Sequence, residues 1–429
     1  MVTVVSVAVV MGAVWLVWRG VDVRLVLLGA GLALGCLALR PWIIFDAFGR
    51  AMADAKTLGP ICSAMGFAFV LRATGCDREL VRLLLKPIRH VRWLLVPGGC
   101  AVGFVTNMAI TSQTASAAAV GPILIPIMLA AGWHPILIAA TLVLGCSGGG
   151  NLYNPGDADV VAVQASSGAP LPLVLERFFL PELVGFATAV AAFTFFCRRT
   201  PSEHIEPSIA IPEASDAPVR LDKAALPLLP IGLLLVLQPR FHLVPAVLKL
   251  YPEGLPVTHA MVFSMLIVML IHRRDLSHLS REFFEGMGFA YTQVISLIIT
   301  ASCLITGMEA VGLVAKLVGF VASATFVAKI VSGIVPWMLG VLSGSGVAPS
   351  VAFAKAVLPS LSAQDQLQAV DLGVLASIGA TFGRTSSPVA AVVIFTATLI
   401  GCSPMAIVRR TLPALAVGFV PVLVLMEMR

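Results

Sequence analysis

The chain has 429 residues, of which 59% are hydrophobic and only 12% are charged, with a formal net charge of +6. This composition excludes an ordinary soluble domain and indicates an integral membrane protein. The basic residues lie between apolar segments, so they predict membrane topology and no nucleic-acid partner. The eight cysteines lie mostly inside apolar runs without a CxxC pair, which excludes a disulfide or metal framework.

The first half, residues 1–197, opens with apolar runs long enough to span a membrane. A mixed polar and apolar segment at 41–56 predicts an interfacial amphipathic helix. The basic amphipathic segment from Asp77 to Arg92 suits an anionic inner membrane surface, although an ordinary basic loop is the alternative. The apolar runs lie at about 3–18, 23–39, 57–74 and 171–196.

Residues 93–131 are apolar at both ends and polar at the centre, from Thr106 to Ser116. This pattern predicts a re-entrant helical hairpin with a polar tip rather than a simple span. The next span, 134–168, is interrupted by three glycines, two asparagines and a proline within Gly145–Asp159. These residues cannot continue a helix, so their free backbone groups must face protein or water.

A polar segment at 198–224 is predicted to link the two halves, and residues 225–429 then repeat the plan. Spans are predicted near 225–249, 257–272, 290–307 and 404–428, with an amphipathic piece at 275–289. A second polar-tipped hairpin is predicted at 328–361, and a second broken helix at 366–400.

The two breaks are related by a constant spacing. Gly150 and Gly383 are 233 positions apart, as are Pro155 and Pro388, and Pro126 and Pro359. Interrupted hydrophobic segments at matching positions of two halves indicate the substrate site of a secondary transporter. Each half holds about five crossings plus one hairpin, and an odd number of crossings predicts inverted repeats.

The distribution of basic residues predicts the orientation in the membrane. The cluster at 78–92, Arg198, Arg199, Arg273 and Arg274 fall on one side of the predicted spans. Because basic loops stay in the cytoplasm, the linker is predicted to be cytoplasmic and both termini are predicted to lie outside.

The polar groups at the hairpin tips and breaks predict the chemistry of the site. Half-helix N-termini suit carboxylates, whereas unwound carbonyls and half-helix C-termini suit sodium. The candidate substrate-binding residues are Thr111, Ser112, Gln113, Thr114, Asn151, Asn154, Ser343, Ser345, Arg384, Thr385, Ser386 and Ser387. The candidate cation-binding residues are Asn107, Asp157 and Thr381.

Arg384 is the most specific of these candidates, because a guanidinium can hold a carboxylate by a two-pronged, charge-assisted pair. The alternative is that Arg384 caps carbonyls or pairs with a structural acid. In the first break, Asp157 and Asp159 are candidate ligands for a cation or a proton. The alternative is that one of them, in the first place Asp157, is a helix N-cap after Pro155-Gly156, a role compatible with cation binding.

Other functional classes find little support in the sequence. It contains no HExxH, GxSxG or GxxxxGK[ST] motif, which argues against a membrane protease, esterase or ATP-driven pump. A membrane-embedded transferase remains an alternative, although no acid–base pair or metal cluster is evident.

Four segments of the chain carry a family resemblance: Gly121–Pro126, Gly145–Gly156, Ser343–Pro349 and Gly383–Ala391. On these segments the chain resembles the DcuC family of anaerobic C4-dicarboxylate carriers, within the ion transporter superfamily. The resemblance implies a dimerising scaffold domain, a mobile transport domain working as an elevator, and fumarate, succinate, malate or aspartate as substrates. Relatives in the superfamily carry Ser-Asn-Thr at both hairpin tips. This chain instead has Thr-Ser-Gln-Thr at 111–114 and Ser-Gly-Ser-Gly at 343–346. Coupling to Na+, coupling to H+ and plain exchange of substrates therefore remain alternatives.

The sequence thus predicts an all-α polytopic protein of the bacterial inner membrane, built from two inverted repeats. Each repeat has about five transmembrane helices, one of them broken, plus a re-entrant hairpin, arranged as scaffold and transport domains. We expect a homodimeric secondary carrier of C4-dicarboxylates rather than an enzyme, without a cofactor beyond a coupling Na+ or H+. A carrier of another organic anion or an amino acid is the nearest alternative, and a membrane-embedded enzyme the more distant one.

Overall fold

A computed structural model describes residues 2–19, 21–88, 91–110, 112–198, 219–237, 244–251, 255–272, 275–314, 316, 325–363 and 365–429. Throughout these ranges the regular structure is helical. The first half contains α1 (Val2–Trp18), α2 (Val23–Leu37), α3 (Trp42–Met52), α4 (Ala55–Thr74), α5 (Cys76–Leu85), α6 (Leu95–Ala109), α7 (Gln113–Ala130), α8 (Pro135–Ser147), α9 (Ala158–Ser167) and α10 (Leu171–Arg198). The second half contains α11 (Leu221–Ala224), α12 (Leu229–Val236), α13 (Pro245–Leu250), α14 (Val257–Ile271), α15 (Leu276–Ala290), α16 (Ser296–Ala310), α17 (Thr325–Ser343), α18 (Val347–Ser362), α19 (Gln366–Thr385), α20 (Ala391–Ile400) and α21 (Pro404–Glu427).

Five of the described helical segments are long and apolar enough to cross a membrane. A helix satisfies its own backbone hydrogen bonds, which is why apolar runs of this length adopt it in lipid. The five segments are Thr57–Thr74, Gln113–Ala130, Leu171–Cys197, Leu276–Ala310 and Pro404–Glu427.

Two pairs of helices meet at short polar turns. In the first pair, α6 ends at Ala109 and α7 begins at Gln113, within the segment predicted as a hairpin at 93–131, and residue 111 between them lies outside the described residues. In the second pair, α17 and α18 join through residues 344–346, within the segment predicted at 328–361. Both turns thus fall at the polar centres of those segments.

Two further helices are interrupted where the glycines and prolines predict. After α8 the chain leaves the helical conformation for residues 148–157 and resumes as α9. After α19 it does so for residues 386–390 and resumes as α20. The Asp157 side chain caps α9 by accepting a hydrogen bond from the Asp159 backbone N–H.

The two halves pack on one another reciprocally. Within each half, the first helix of the turn-linked pair packs on the helix that precedes the break, as α6 on α8 and α17 on α19. Between halves, the second helix of each pair packs on the segment after the other break, as α7 on α20 and α18 on α9. The long helices α10 and α21 also pack together, so breaks and turns meet in one block.

The second half departs from the predicted spans in two places. Within the span predicted at 225–249, the described residues form a 3₁₀ turn at Leu226–Leu228 and the short helices α12 and α13, and residues 238–243 lie outside the described part of the chain. The pieces predicted separately at 275–289 and 290–307 form one continuous helical segment, in which α15 and α16 are joined by a π-helical turn at Tyr291–Ile295. Most of the linker, residues 199–218, lies outside the described residues.

Candidate functional site

Both turns and both interrupted helices contribute to one cavity of about 280 Å³. Ser112, Gln113 and Thr114 line it from the first turn, and Gly344–Val347 from the second. The start of α9 and the end of α19 add charged groups, while α4 and the π-helical turn close the opposite side. The charged lining residues are Asp157, Asp159 and Arg384.

Arg384 lies in the last turn of α19 with only 7% of its surface exposed. Its Nη2 donates a hydrogen bond to the Ser147 carbonyl at 3.1 Å. In the amide orientation that satisfies its neighbours, Gln113 Oε1 accepts from Nη1 at 2.8 Å and from Nη2 at 2.9 Å. The Nε has no hydrogen-bond partner among the described residues, so the guanidinium retains a donor for a ligand.

The first turn is organised by its own polar groups. Ser112 caps α7 by accepting a hydrogen bond from the Ala115 N–H at 3.3 Å. This cap aims the next two residues, Gln113 and Thr114, at the cavity. Thr111 lies outside the described residues.

The second turn is held mainly by Ser343. Its hydroxyl donates to the Leu339 carbonyl at 2.7 Å and accepts from the Ser345 N–H at 3.2 Å. Ser345 lines the cavity, whereas Ser343 lies in the wall of a separate apolar cavity. Gly344 has a φ of +66° and packs against the backbone of Val389, a combination that only glycine adopts without strain.

The asparagines of the first break bind neighbouring helices and lie outside the lining of the cavity. Asn151 Nδ2 donates to Thr381 Oγ1 on α19 at 3.4 Å. Asn154 Nδ2 donates to the Met108 carbonyl at 3.2 Å, while its Oδ1 accepts from the Gly156 N–H at 3.2 Å. Their contacts position the break relative to α6 and α19.

Asn107 and Asp157, two of the three predicted cation ligands, lie on either side of Gly150. A methyl group at Gly150 would be 3.3 Å from Asp157 Oδ2 and 3.4 Å from Asn107 Oδ1. Asn107 is fully buried, and its Oδ1 has no hydrogen-bond partner among the described residues. The third predicted ligand, Thr381, instead accepts from Asn151.

The hydroxyl groups at the second break form hydrogen bonds with backbone groups of their own segment. Thr385 donates to the Thr381 carbonyl at 2.7 Å, and Ser386 donates to the Phe382 carbonyl at 2.8 Å. Ser387 accepts from the Val389 N–H at 3.4 Å. All three are buried outside the cavity lining, so they end the helix and do not face a ligand.

Sequence reasoning missed one acidic group, Glu182, and one amide, Gln293, near this cavity. Asp159 and Glu182 are buried, and Asp159 Oδ1 and both Glu182 carboxyl oxygens have no hydrogen-bond partner among the described residues. The charges of Asp157, Asp159 and Glu182 all act on Arg384. The signal for Glu182 was its position as the lone acid between Arg177 and Arg198. Gln293, which also lines the cavity, is in the π-helical turn, a feature frequent at functional sites.

The described residues contain no group of three or more His, Cys, Asp or Glu side chains that could hold a metal ion. Any cation at Asn107 and Asp157 would therefore need carbonyl or hydroxyl oxygens as further ligands. Hard cations such as Na+ accept such oxygen ligands at unwound helix segments.

Comparison with known proteins places these features in a family. The profile of the DcuC family, described as a C4-dicarboxylate anaerobic carrier, matches residues 61–429. An uncharacterized transporter of Haemophilus influenzae is 38% identical over 133 residues, covering 31% of this chain and 92% of the relative. The anaerobic C4-dicarboxylate transporter DcuC of Escherichia coli K12 is 25% identical over 376 residues, covering 85% of this chain and 78% of the relative.

A solved structure shares the fold. The YdaH transporter of Alcanivorax borkumensis matches with a TM-score of 0.54 at 13% sequence identity. The match covers 90% of this chain and 87% of that transporter. At this identity the likeness concerns the fold alone.

Proposed function

This chain belongs to the DcuC family of carriers, and from that premise we propose that it is a secondary transporter of small C4-dicarboxylates across the bacterial inner membrane. Fumarate, succinate, malate and aspartate are the proposed substrates. The chain is a multi-pass membrane transporter and not an enzyme, since its family consists of carriers. Carriage of another organic anion or an amino acid is the remaining alternative.

The observation that carries the proposal is the guanidinium of Arg384 at the wall of the cavity. A buried cation needs compensation, and here its partners are the Ser147 carbonyl and the Gln113 amide oxygen. A substrate carboxylate could replace the Gln113 oxygen and form a two-pronged pair with the same donors. The N-terminal ends of α7 and α18 at the turns would favour the second carboxylate.

Charge balance supports coupling to a cation. Three buried carboxyl groups, those of Asp157, Asp159 and Glu182, accompany one guanidinium, and a dicarboxylate would add two negative charges. Several uncompensated charges in a buried site are very costly. We therefore propose that Na+ or H+ accompanies the substrate, with Asn107 and Asp157 as candidate Na+ ligands.

The mode of transport is proposed to be an elevator. The block formed by the turns, the breaks, α10 and α21 would be the transport domain, and α1–α4 and α14–α16 the scaffold through which a homodimer forms. Two observations support inverted repeats: the order of elements repeats, and the packing between halves is reciprocal. The α6–α7 and α17–α18 pairs would be the re-entrant hairpins.

The proposed orientation leaves both termini outside and the linker 198–224 in the cytoplasm. A cysteine introduced at Ser208 should resist a membrane-impermeant thiol reagent in right-side-out vesicles. Ready labelling there would contradict the orientation without touching the substrate proposal.

The proposal is tested by uptake into proteoliposomes. Radiolabelled succinate, fumarate, malate and aspartate should accumulate only in intact vesicles, and a monocarboxylate of similar size should compete poorly. Uptake should be driven by an imposed Na+ gradient or by a pH gradient, which are applied separately. Uptake of amino acids or monocarboxylates in preference to all four dicarboxylates would overturn the substrate assignment.

A further inference from the structure

A second polar cavity, of about 210 Å³, lies apart from the Arg384 cavity. Lys355 of α18 and Asp54, just before α4, are its charged lining residues. Thr57 and Ser166 add hydroxyl groups to its wall. None of these residues was a candidate from the sequence, and none of them lines the Arg384 cavity.

The two cavities follow one another along the same helices. On α18 the lining passes from Val347 in the first cavity to Val351 and Lys355 in the second. On α9 it passes from Ala158 to Ala162, and α4 and α16 likewise contribute to both cavities. At 1.5 Å per residue, Lys355 lies about 12 Å along α18 from Val347. The second cavity therefore continues the first along the seam between α4 and α16 on one side and α9 and α18 on the other.

Lys355 is partly buried and makes one hydrogen bond across this seam, from its Nζ to Ser302 Oγ on α16 at 2.7 Å. None of the described carboxylates forms an ion pair with it. Asp54 is near enough for its charge to act on Lys355, and Asp54 Oδ2 accepts a hydrogen bond from Thr57 at 2.6 Å. A lysine that only snorkelled would extend its ammonium towards the end of its helix. This ammonium instead reaches a hydroxyl on a facing helix.

We propose that the Lys355 cavity is an outer anion site, which holds a carboxylate of the substrate on its way between one membrane face and the Arg384 cavity. The inference rests on the proposed function, since it takes the same small dicarboxylates as ligands. The ammonium of Lys355 supplies the charge, and the hydroxyl of Ser166 supplies a further donor.

A lysine suits a site that the substrate occupies only in transit. An ammonium is a compact, strongly hydrated charge without the rigid two-pronged geometry of a guanidinium, so it attracts a carboxylate without fixing it. Arg384 offers that geometry deeper in the seam. The outer site would raise the local concentration of the anion and hence its rate of entry. In the proposed orientation, the ends of α9 and α18 place this cavity on the outer side.

The test uses thiol reagents of opposite charge and similar size. Ser166→Cys reports on the cavity, and Ser360→Cys, exposed on the same end of α18, is the matched control. Both are made in a chain whose more accessible described cysteines, Cys36 and Cys402, are replaced by alanine. Labelling rates with anionic and cationic methanethiosulfonates are compared in chains with Lys355, Lys355→Arg and Lys355→Gln.

We expect the ratio of anionic to cationic labelling at Ser166→Cys to fall at least about tenfold with Lys355→Gln, and to stay near the parent value with Lys355→Arg. The ratio at Ser360→Cys should not change. An unchanged ratio at Ser166→Cys in the glutamine variant would overturn the proposal.

A second measurement does not depend on the folding of a Lys355 variant. With Lys355 intact and Arg384→Ala present, millimolar succinate should still slow labelling at Ser166→Cys, because the outer site remains. Loss of this protection would show that the cavity has no affinity of its own, and would overturn the outer site. If the chain binds no dicarboxylate but the labelling ratio falls as expected, the proposed function fails and the anion site stands.

Discussion

The two breaks share a backbone plan but differ in their chemistry. The first break is ten residues long, 148–157, and brings the acids Asp157 and Asp159 to the cavity. The second is five residues long, 386–390, and begins two residues after Arg384, the cation that lines the cavity. The two breaks thus bring opposite charges to one cavity.

The shared plan is visible in glycines packed against a neighbouring backbone. Gly149 lies against the Phe104 carbonyl, and Gly383 lies against the Trp337 carbonyl. Gly145 and Gly379 make the corresponding contacts one turn earlier, with Cys100 and Gly333. These pairs are 234 positions apart on α8 and α19, one more than the 233 that matches the prolines. Arg384 is therefore the counterpart of Gly150, and Ser147 that of Thr381.

The comparison teaches that the two breaks share a backbone plan set by glycines, while individual side chains give each break its own chemistry. Asn151 of the first break reaches Thr381, and Arg384 of the second reaches Ser147. Thr381 and Ser147 are equivalent positions, whereas Asn151 lies one position beyond the equivalent of Arg384. One of these two contacts between the halves is a neutral hydrogen bond, and the other carries a charge.

The largest effect is expected at the charged contact between the halves, the hydrogen bond from Arg384 to the Ser147 carbonyl. Arg384→Ala should weaken succinate binding by about 3–5 kcal/mol, because it leaves buried acids and the substrate without their cation. Arg384→Lys should recover part of this, since it retains the charge but loses the two-pronged geometry. Calorimetry on folded protein gives the measurement, and a monocarboxylate should lose less than succinate. Succinate binding by the alanine variant at the level of the parent would make Arg384 structural.

The shared backbone plan can be broken at its glycines. Gly149→Ala and Gly383→Ala should each lower the free energy of unfolding by about 1–3 kcal/mol, because the new Cβ meets a backbone carbonyl that cannot move freely. Gly288→Ala on α15 is the control, since nothing lies within 4 Å of its Cβ position. Thermal unfolding in detergent measures the three variants. Equal stability of all three would contradict the close packing of the breaks.

The dependence of uptake on cations tests the role of the first break, which carries the acids. If Asn107 and Asp157 bind Na+, Asn107→Ala and Asp157→Asn should raise the Na+ concentration for half-maximal uptake at least about tenfold. Asn154→Ala is the control, because Asn154 bonds Met108 and Gly156 and does not face the pair. An uptake rate that ignores Na+ in the parent chain and follows the pH gradient would assign the coupling to protons instead.

The smallest effect is expected at the neutral contact between the halves, the hydrogen bond from Asn151 to Thr381. Asn151→Ala and Thr381→Val should each cost about 0.5–1.5 kcal/mol of stability, the range of a net hydrogen bond. A double-mutant cycle measures their coupling, which should be a small fraction of the cost at Arg384. Strict additivity would show that the 3.4 Å contact contributes nothing.

The sequence predicted the parts of this fold that depend on local composition. Glycine, proline and polar clusters inside apolar runs located both turns and both breaks, and the appearance of Arg384 in one break located the cavity. At 225–249 the described residues form two short helices where the sequence predicts one span. The pieces predicted at 275–289 and 290–307 are helical as expected, but a π-helical turn joins them into one continuous segment, which average hydropathy does not indicate.

The contacts of the site could be predicted only in part. A hydroxyl near a helix end can face a ligand or bond to a carbonyl of its own helix. Thr385, Ser386 and Ser343 do the latter, and no feature of the sequence distinguishes the two. Lys355 and Glu182 became notable only when packing showed what surrounds them.

The contact between Gln113 and Arg384 has a consequence for the speed of the carrier. The amide oxygen accepts hydrogen bonds from both Nη1 and Nη2, so it would compete, as a tethered group, with a substrate carboxylate for these donors. A tethered group acts at an effective concentration of the order of millimolar or more. A substrate carboxylate bound as proposed would displace the amide, which would weaken its apparent affinity, and the amide would assist release by taking the donors back. A dicarboxylate would thus be bound with moderate strength and exchanged quickly, the compromise that a high turnover rate requires.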